Sequence, residues 1–200
     1  MQSLIYLLRH GKIDTTSPRR FLGQTDLPLN ETGIRQAKRL GQALSAIPFD
    51  QVFSSPLNRA RQTAALVSGR ALTAIEPIEA FREINLGAWE GLSVAEVRER
   101  FPGAYEQRGL HLADYRPERG ESFADLAARA LPALRAITRQ FQGPMLIVAH
   151  AGVNRALLAC LQDLPLEGLL RIPQDYCGVN ILAKDGGGLR VQAINQVLYQ

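Results

Sequence analysis

The chain contains three histidines, at positions 10, 111 and 150, and two of them stand directly after apolar runs. "LIYLLRHG" carries Arg9 and His10, and "MLIVAHAG" carries His150. A further apolar stretch, "VFSSPLNR", delivers Arg59 near the start of the segment that follows it. Arginines beside a histidine repel a divalent cation and attract a multiply charged anion, so this group suits phosphate better than zinc. There is no HExxH or CxxC arrangement to hold a metal, and no P-loop, GxGxxG or GxSxG. No metal and no cofactor are therefore expected. Phosphate chemistry without either needs another way to offset charge, which arginine and histidine N–H donors supply.

Residues this far apart share a site only if the fold gathers the ends of several strands. Leu4 to Leu8 is a continuous apolar run of strand length, and Glu31 to Leu44 has helical spacing with Asn30 as a plausible N-cap. "DQVFSS" reads as a strand, "PLNRARQTAALVSGR" as a helix opened by Pro56 and closed near Gly69, and "LTAIEPI" as a third strand. Val94 to Arg100 and Phe123 to Phe141 read as helices, "PMLIVAH" as a buried strand, and "NRALLACLQ" as a helix following a small-residue turn, "AGVN". The last segment reads as a hairpin turning within Asp185 to Gly188. Alternating strands and helices predict an α/β, three-layer α/β/α sandwich with a mostly parallel central sheet and an antiparallel edge strand. In such sheets ligands bind beyond the carboxyl ends of the strands, where Arg9, His10, Arg59 and His150 would lie.

Composition excludes several other classes. With 200 residues, 46% of them apolar, the chain can bury a sizeable core, and one domain over residues 1–200 is expected. The longest apolar stretches fall far short of the ~20 residues that span a bilayer, and no signal-type N-terminus is present, so no membrane partner and a cytoplasmic location are expected. The net charge of +4 comes from basic residues interleaved with acids, as in "EVRER" and "RPERGE", without a basic stripe carrying aromatics; no nucleic-acid partner is expected. Arginine outnumbers lysine 20 to 3, which suits phosphate recognition wherever several converge. Cys160 and Cys177 lack metal-type spacing and read as reduced core residues.

The segments "LRHG", "GQTDLPLNETGIRQA", "VFSSPLNRARQTA", "FREINLGAWEG", "PERGESF" and "LIVAHAGVNRALL" together resemble the histidine phosphatase superfamily, also called phosphoglycerate mutase-like, in that family's order. The resemblance implies that His10 is the nucleophile that takes the phosphoryl group and that Arg9 and Arg59 bind its oxygens. It implies Glu83 as general acid and base, and His150 as a second histidine against the phosphoryl group. Neighbouring cations disfavour imidazolium, so Arg9 and Arg59 should keep His10 neutral and nucleophilic. Arg61 reads as structural.

The chain departs from the family pattern after "RHG": Lys12 follows directly, and Thr16 stands where many members carry a phosphate-holding Asn. Thr16, Gln24, Thr25 and Ser122 are further substrate-binding candidates, and residues around 100–125 are expected to form a lid-like insertion. His111, within that stretch, reads as solvated, and Trp89 and Phe123 as packing residues. Arg19 and Arg20 read as solvated, with contact to an extended anionic substrate as the alternative. Chain length and "PERGESF" look more like the small bacterial phosphatases, including α-ribazole phosphatase of cobalamin biosynthesis, than like the longer mutases. The implied activity is a metal-independent phosphomonoesterase working through phosphohistidine on a small phosphorylated metabolite, with α-ribazole 5′-phosphate as the named substrate. The alternatives are a cofactor-dependent phosphoglycerate mutase and a catalytically silent module that binds a phosphorylated ligand or a protein. Oligomeric state is not legible in the sequence.

Overall fold

The computed structural model describes residues 3–15, 17–186 and 188–199. Its sheet is built from β1 (Ser3–Arg9), β2 (Gln51–Ser54), β3 (Glu76–Pro77), β4 (Met145–Ala149), β5 (Val179–Asp185) and β6 (Gly188–Gln196) in the order β3-β2-β4-β1-β5-β6. β1 pairs in parallel with β4, β4 with β2, and β2 with β3; β5 runs antiparallel to β1 and pairs antiparallel with β6. Side chains alternate across each strand, and in β1 and β4 both faces are covered, which is why Leu4–Leu8 and Met145–Ala149 are continuously apolar. Ile5, Leu7, Phe53, Met145 and Ile147 face α5 (Phe123–Gln140) and α6 (Ala151–Leu161). Tyr6, Leu8, Val52, Leu146 and Val148 face α1 (Glu31–Ala43) and α2 (Asn58–Ser68). The result is the expected three-layer sandwich. Among the described residues no helix is long and apolar enough to cross a membrane.

Local signals account for most boundaries. Asn30 caps α1 by accepting a bond from Gly33 N at 2.9 Å, and α2 ends on Gly69 in the left-handed region at φ 69°, although it begins at Asn58 rather than at Pro56. Three expectations change. "LTAIEPI" forms a 3-10 turn over Leu72–Ala74 and only a two-residue strand, because Pro77 offers no N–H to extend the ladder at this sheet edge. A short helix not expected from the sequence, α4 (Ala104–Leu110), follows α3 (Val94–Arg100) after the left-handed Gly103. The "AGVN" segment is no turn but the first turn of α6, which therefore starts immediately after His150.

Candidate active site

β1, β4 and β2 are adjacent and parallel, so their carboxyl ends open onto one crevice. The register places Arg9 opposite Ala149, and His10 N continues the ladder onto the Ala149 carbonyl at 3.0 Å. His10 and His150 thus leave neighbouring strands side by side, with ring centroids 5.1 Å apart in an edge-to-face arrangement. Ser55, just past the end of β2, bonds His150 Nε2 through its Oγ at 2.8 Å. Arg59 comes from the first turn of α2.

The protonation of His10 follows from its partner. Nδ1 lies 2.8 Å from the Gly11 carbonyl, which only accepts, so Nδ1 carries the proton and the Nε2 lone pair is free. His10 is 4% exposed; burial, followed by the cations of Arg59 and then Arg9, holds its pKa well below the ordinary histidine value. His150 is also pushed well below that value, by burial first and then by His10 and the arginines. Ser55 Oγ accepts from Leu57 N at 3.3 Å, which leaves its proton free for His150 Nε2; the buried Nδ1 has no partner among the described residues.

Both arginines are held from behind by main-chain carbonyls. Arg59, 2% exposed, donates from Nη1 to Thr25 O at 2.6 Å and from Nη2 to Gly23 O at 2.7 Å. Arg9 donates from Nη1 to Gln174 O at 2.6 Å and stacks on the Tyr176 ring at 3.8 Å. Neither forms an ion pair among the described residues, and each keeps a buried Nε without a partner. Burial lowers the pKa of both, opposed in part by carboxylates that do not touch them, Glu83 among them, so a pair of guanidinium groups without a direct ion pair favours an anion in the crevice.

Glu83 reaches the same crevice from the other side. Its carboxylate accepts from Ile84 N at 2.9 Å and from Gly152 N, in the first turn of α6, at 3.0 Å, where the helix dipole favours negative charge. Gly152 is required there, because a Cβ would lie 2.3 Å from Glu83 Oε1. Arg9, His10, Arg59 and Glu83, with Arg19, Arg20, Asp175 and Tyr176, line a cavity of about 410 Å³. It continues past Glu83 into a second compartment of about 340 Å³. No group of His, Cys, Asp and Glu among the described residues could hold a metal ion.

The remaining candidates sit elsewhere. Gln24 donates to the Glu83 carbonyl at 2.9 Å, and the Thr25 hydroxyl donates to Glu90 Oε1 at 2.6 Å; neither lines the crevice. Ser122 is the N-cap of α5, its Oγ accepting from Asp125 N at 3.1 Å in a capping box, so its hydroxyl is already committed. Thr16 lies outside the described residues. Arg61 bonds the Leu72 carbonyl away from the site, and His111 is exposed at the end of α4. Trp89 is buried between Phe21 and Tyr115, whereas Phe123 both packs in the core and lines the second compartment.

Several residues that sequence reasoning missed hold the site together. Glu90 accepts from Gly23 N and Thr25 N at 2.9 and 3.0 Å, fixing the loop whose carbonyls anchor Arg59. Arg129 on α5 pairs with Glu121 and donates to the carbonyls of Ala80 and Glu83 at 2.6 and 3.1 Å, fixing the segment that carries Glu83. Gln174, whose carbonyl holds Arg9, is locked by the buried amides of Asn154 and Asn180, each donating to its Oε1 at 3.0 Å.

The model of the histidine phosphatase superfamily (branch 1) matches residues 5–197. A glucosyl-3-phosphoglycerate phosphatase of Mycolicibacterium vanbaalenii is 32% identical over 171 residues, 82% of this chain and 76% of that protein. A 2,3-bisphosphoglycerate-dependent phosphoglycerate mutase of Gloeobacter violaceus is 30% identical over 186 residues, 88% of this chain and 83% of that one. The crystal structure of the α-ribazole phosphatase from Shigella flexneri superposes with a TM-score of 0.88 at 25% identity, covering 98% of each chain.

Proposed function

Since the chain belongs to the histidine phosphatase superfamily, branch 1, as a phosphatase or mutase, we propose that it is a metal-independent phosphomonoesterase working in two steps through a phosphohistidine at residue 10. The observation that carries this reading is the free Nε2 of His10 set beside two buried arginines that form no ion pair among the described residues. In the first step Nε2 attacks phosphorus while Arg9 and Arg59 offset charge on the equatorial oxygens, and His150 adds a donor through Nδ1. The P–O ester bond breaks, and the Glu83 carboxyl gives its proton to the leaving alkoxide. In the second step the Glu83 carboxylate takes a proton from water, whose oxygen attacks the phosphohistidine; the P–N bond breaks and phosphate departs.

The substrate in this reading is a small phosphorylated metabolite, handled in the cytoplasm. The α-ribazole 5′-phosphate named from the sequence is supported by the Shigella flexneri likeness and by the apolar side chains of the second compartment, Leu22, Ile84, Leu86 and Phe123. Tyr105, Arg108 and Phe123, within the 100–125 stretch, line that compartment, in keeping with a lid over the leaving group. A bisphosphoglycerate-primed mutase is the second reading, favoured by the Gloeobacter violaceus relative. Phosphate release in excess EDTA, from α-ribazole phosphate, 3-phosphoglycerate, sugar phosphates and an aryl phosphate, tests the proposal. Release abolished in His10→Ala is expected. Mutase turnover exceeding release would favour the mutase, and binding without turnover, unchanged in Glu83→Gln, would make the protein a silent binder.

A further inference from the structure

Tyr176 lines the phosphoryl cavity with Arg9, His10, Arg59 and Glu83, yet it has no part in the two-step scheme. Its ring lies over the Arg9 guanidinium at 3.8 Å and stands 5.7 Å from the His10 ring, centroid to centroid. The residue is half-buried, and its hydroxyl makes no hydrogen bond among the described residues, although the main chain that carries it is firmly bonded.

The turn that presents Tyr176 is fixed on both sides and at its centre. Before it, Asp175 exchanges two bonds with Asn195: Asp175 N donates to Oδ1 at 2.6 Å, and Nδ2 donates to Asp175 Oδ2 at 2.8 Å. After it, Cys177 is buried and left-handed at φ 54°, a region in which a non-glycine residue stays only where its surroundings hold it. Cys177 N donates to the Arg9 carbonyl at 3.1 Å, and Arg9 N donates to the Gly178 carbonyl at 3.2 Å, so the turn is stitched to the end of β1. The Tyr176 carbonyl itself accepts from the Tyr199 hydroxyl at 2.9 Å. Gln36 on α1 donates to that hydroxyl at 3.2 Å and accepts from Lys12 N at 3.0 Å, which ties the turn to the loop after His10.

Covering Arg9 takes only a ring, which phenylalanine would supply. The hydroxyl adds a donor, and its surroundings decide where that donor points. Guanidinium groups only donate, so a hydroxyl near them turns its oxygen toward them and its proton away. Burial lowers the pKa of Arg9, and Tyr176 is foremost among the groups that oppose this; it acts in the same sense on Arg59, after Glu83, Asp26 and Glu90. The phenol oxygen is thus within electrostatic reach of both cations, and its proton is left for the anion they hold.

We propose that Tyr176 is a further catalytic residue, whose hydroxyl donates to a phosphoryl oxygen beside Arg9 and Arg59 in both steps. The inference rests on the phosphatase reading and deepens it. Because the bond is made to the transferred group and not to the alcohol, its effect is the same for every leaving group, unlike that of Glu83.

Tyr176→Phe keeps the ring over Arg9 and removes only the hydroxyl, so the thermal midpoint should stay within about 2 °C. For p-nitrophenyl phosphate and glycerol 3-phosphate alike, kcat/KM should fall by roughly ten- to a hundred-fold, the range for a bond to a charged group. Inhibition by vanadate should weaken by a similar factor. Tyr176→Leu, which also uncovers Arg9, should lose at least as much. A Tyr176→Phe variant with undiminished kcat/KM on both esters and undiminished vanadate inhibition would overturn the proposal, even if Tyr176→Leu were impaired, since the ring alone would then matter. So would a loss confined to glycerol 3-phosphate, which would place the hydroxyl at the leaving group. No release from either ester by the unaltered enzyme would instead bring down the phosphatase reading, and the proposal with it.

Discussion

Replacing Arg129 with methionine separates the placement of the proposed proton donor from the binding of phosphate, because Arg129 lines neither compartment. The substitution keeps most of the aliphatic stem and removes the bonds to the Ala80 and Glu83 carbonyls and the pair with Glu121. Bonds from a charged donor contribute about 1.5–3 kcal/mol each, but they are not additive. The pair with Glu121 is 24% and 22% exposed, which screens it. Gln24 also still holds the Glu83 carbonyl, and Asn85 N still bonds Glu121. A loss of about 2–3 kcal/mol in unfolding free energy is therefore expected. A positioned general acid is worth about 10²–10⁴ in rate; loosening it should cost part of that, on the order of 10- to 100-fold in kcat/KM for an alkyl phosphate. Nitrophenolate leaves without a proton, so p-nitrophenyl phosphate should lose less than about five-fold. The ratio kcat/KM is the right readout, since it covers only the steps up to departure of the alcohol and not the later activation of water. Equal losses on the two esters would refute the positioning role and leave Arg129 a scaffold residue only.

The other expected outcomes are read more simply. Gly152→Ala places a methyl where Glu83 Oε1 now sits, so the side chain must swing away: turnover of alkyl phosphates should fall about ten-fold or more while the thermal midpoint moves little, alanine being favoured in a helix. Glu90→Ala releases the loop whose carbonyls anchor Arg59, and inhibition by phosphate or vanadate should weaken by roughly ten-fold, one charged bond's worth. His10 and His150 have folded pKa values well below the unfolded one, so they contribute stability that is full above about pH 6.5 and lost as pH falls toward their folded values. Between pH 6.5 and 5 each should remove up to about 1.4 kcal/mol per pH unit, and denaturant titrations of His10→Gln should show a shallower decline.

The parts of the site on strand ends were legible because a parallel sheet gathers them by construction. Arg9, His10 and His150 each follow an apolar run of strand length, and β1 and β4 turned out to be neighbours. Asn30 was readable for a different reason, since a cap acts within three residues. What escaped was held across distance. Glu90 bonds a loop some 65 residues away, and Arg129 bonds carbonyls 46 and 49 residues away, contacts that no local periodicity encodes. The start of α6 was hidden because "AGVN" is as much a turn composition as a helix one, although the early start is what brings Gly152 N to Glu83. Ser122 had a visible alternative: serine three residues before Asp125, at the head of an apolar helix, is a capping pattern, and capping is what the hydroxyl does.

The most direct test of the phosphohistidine mechanism is rapid acid-free quenching of the enzyme during turnover of a 32P-labelled ester, followed by peptide mapping. Label on the peptide containing His10, stable to base and lost in acid, absent in His10→Ala and formed at least as fast as turnover, is the expected result. Turnover without a phosphoenzyme, label at another residue, or a His10→Ala variant that still releases phosphate would contradict it.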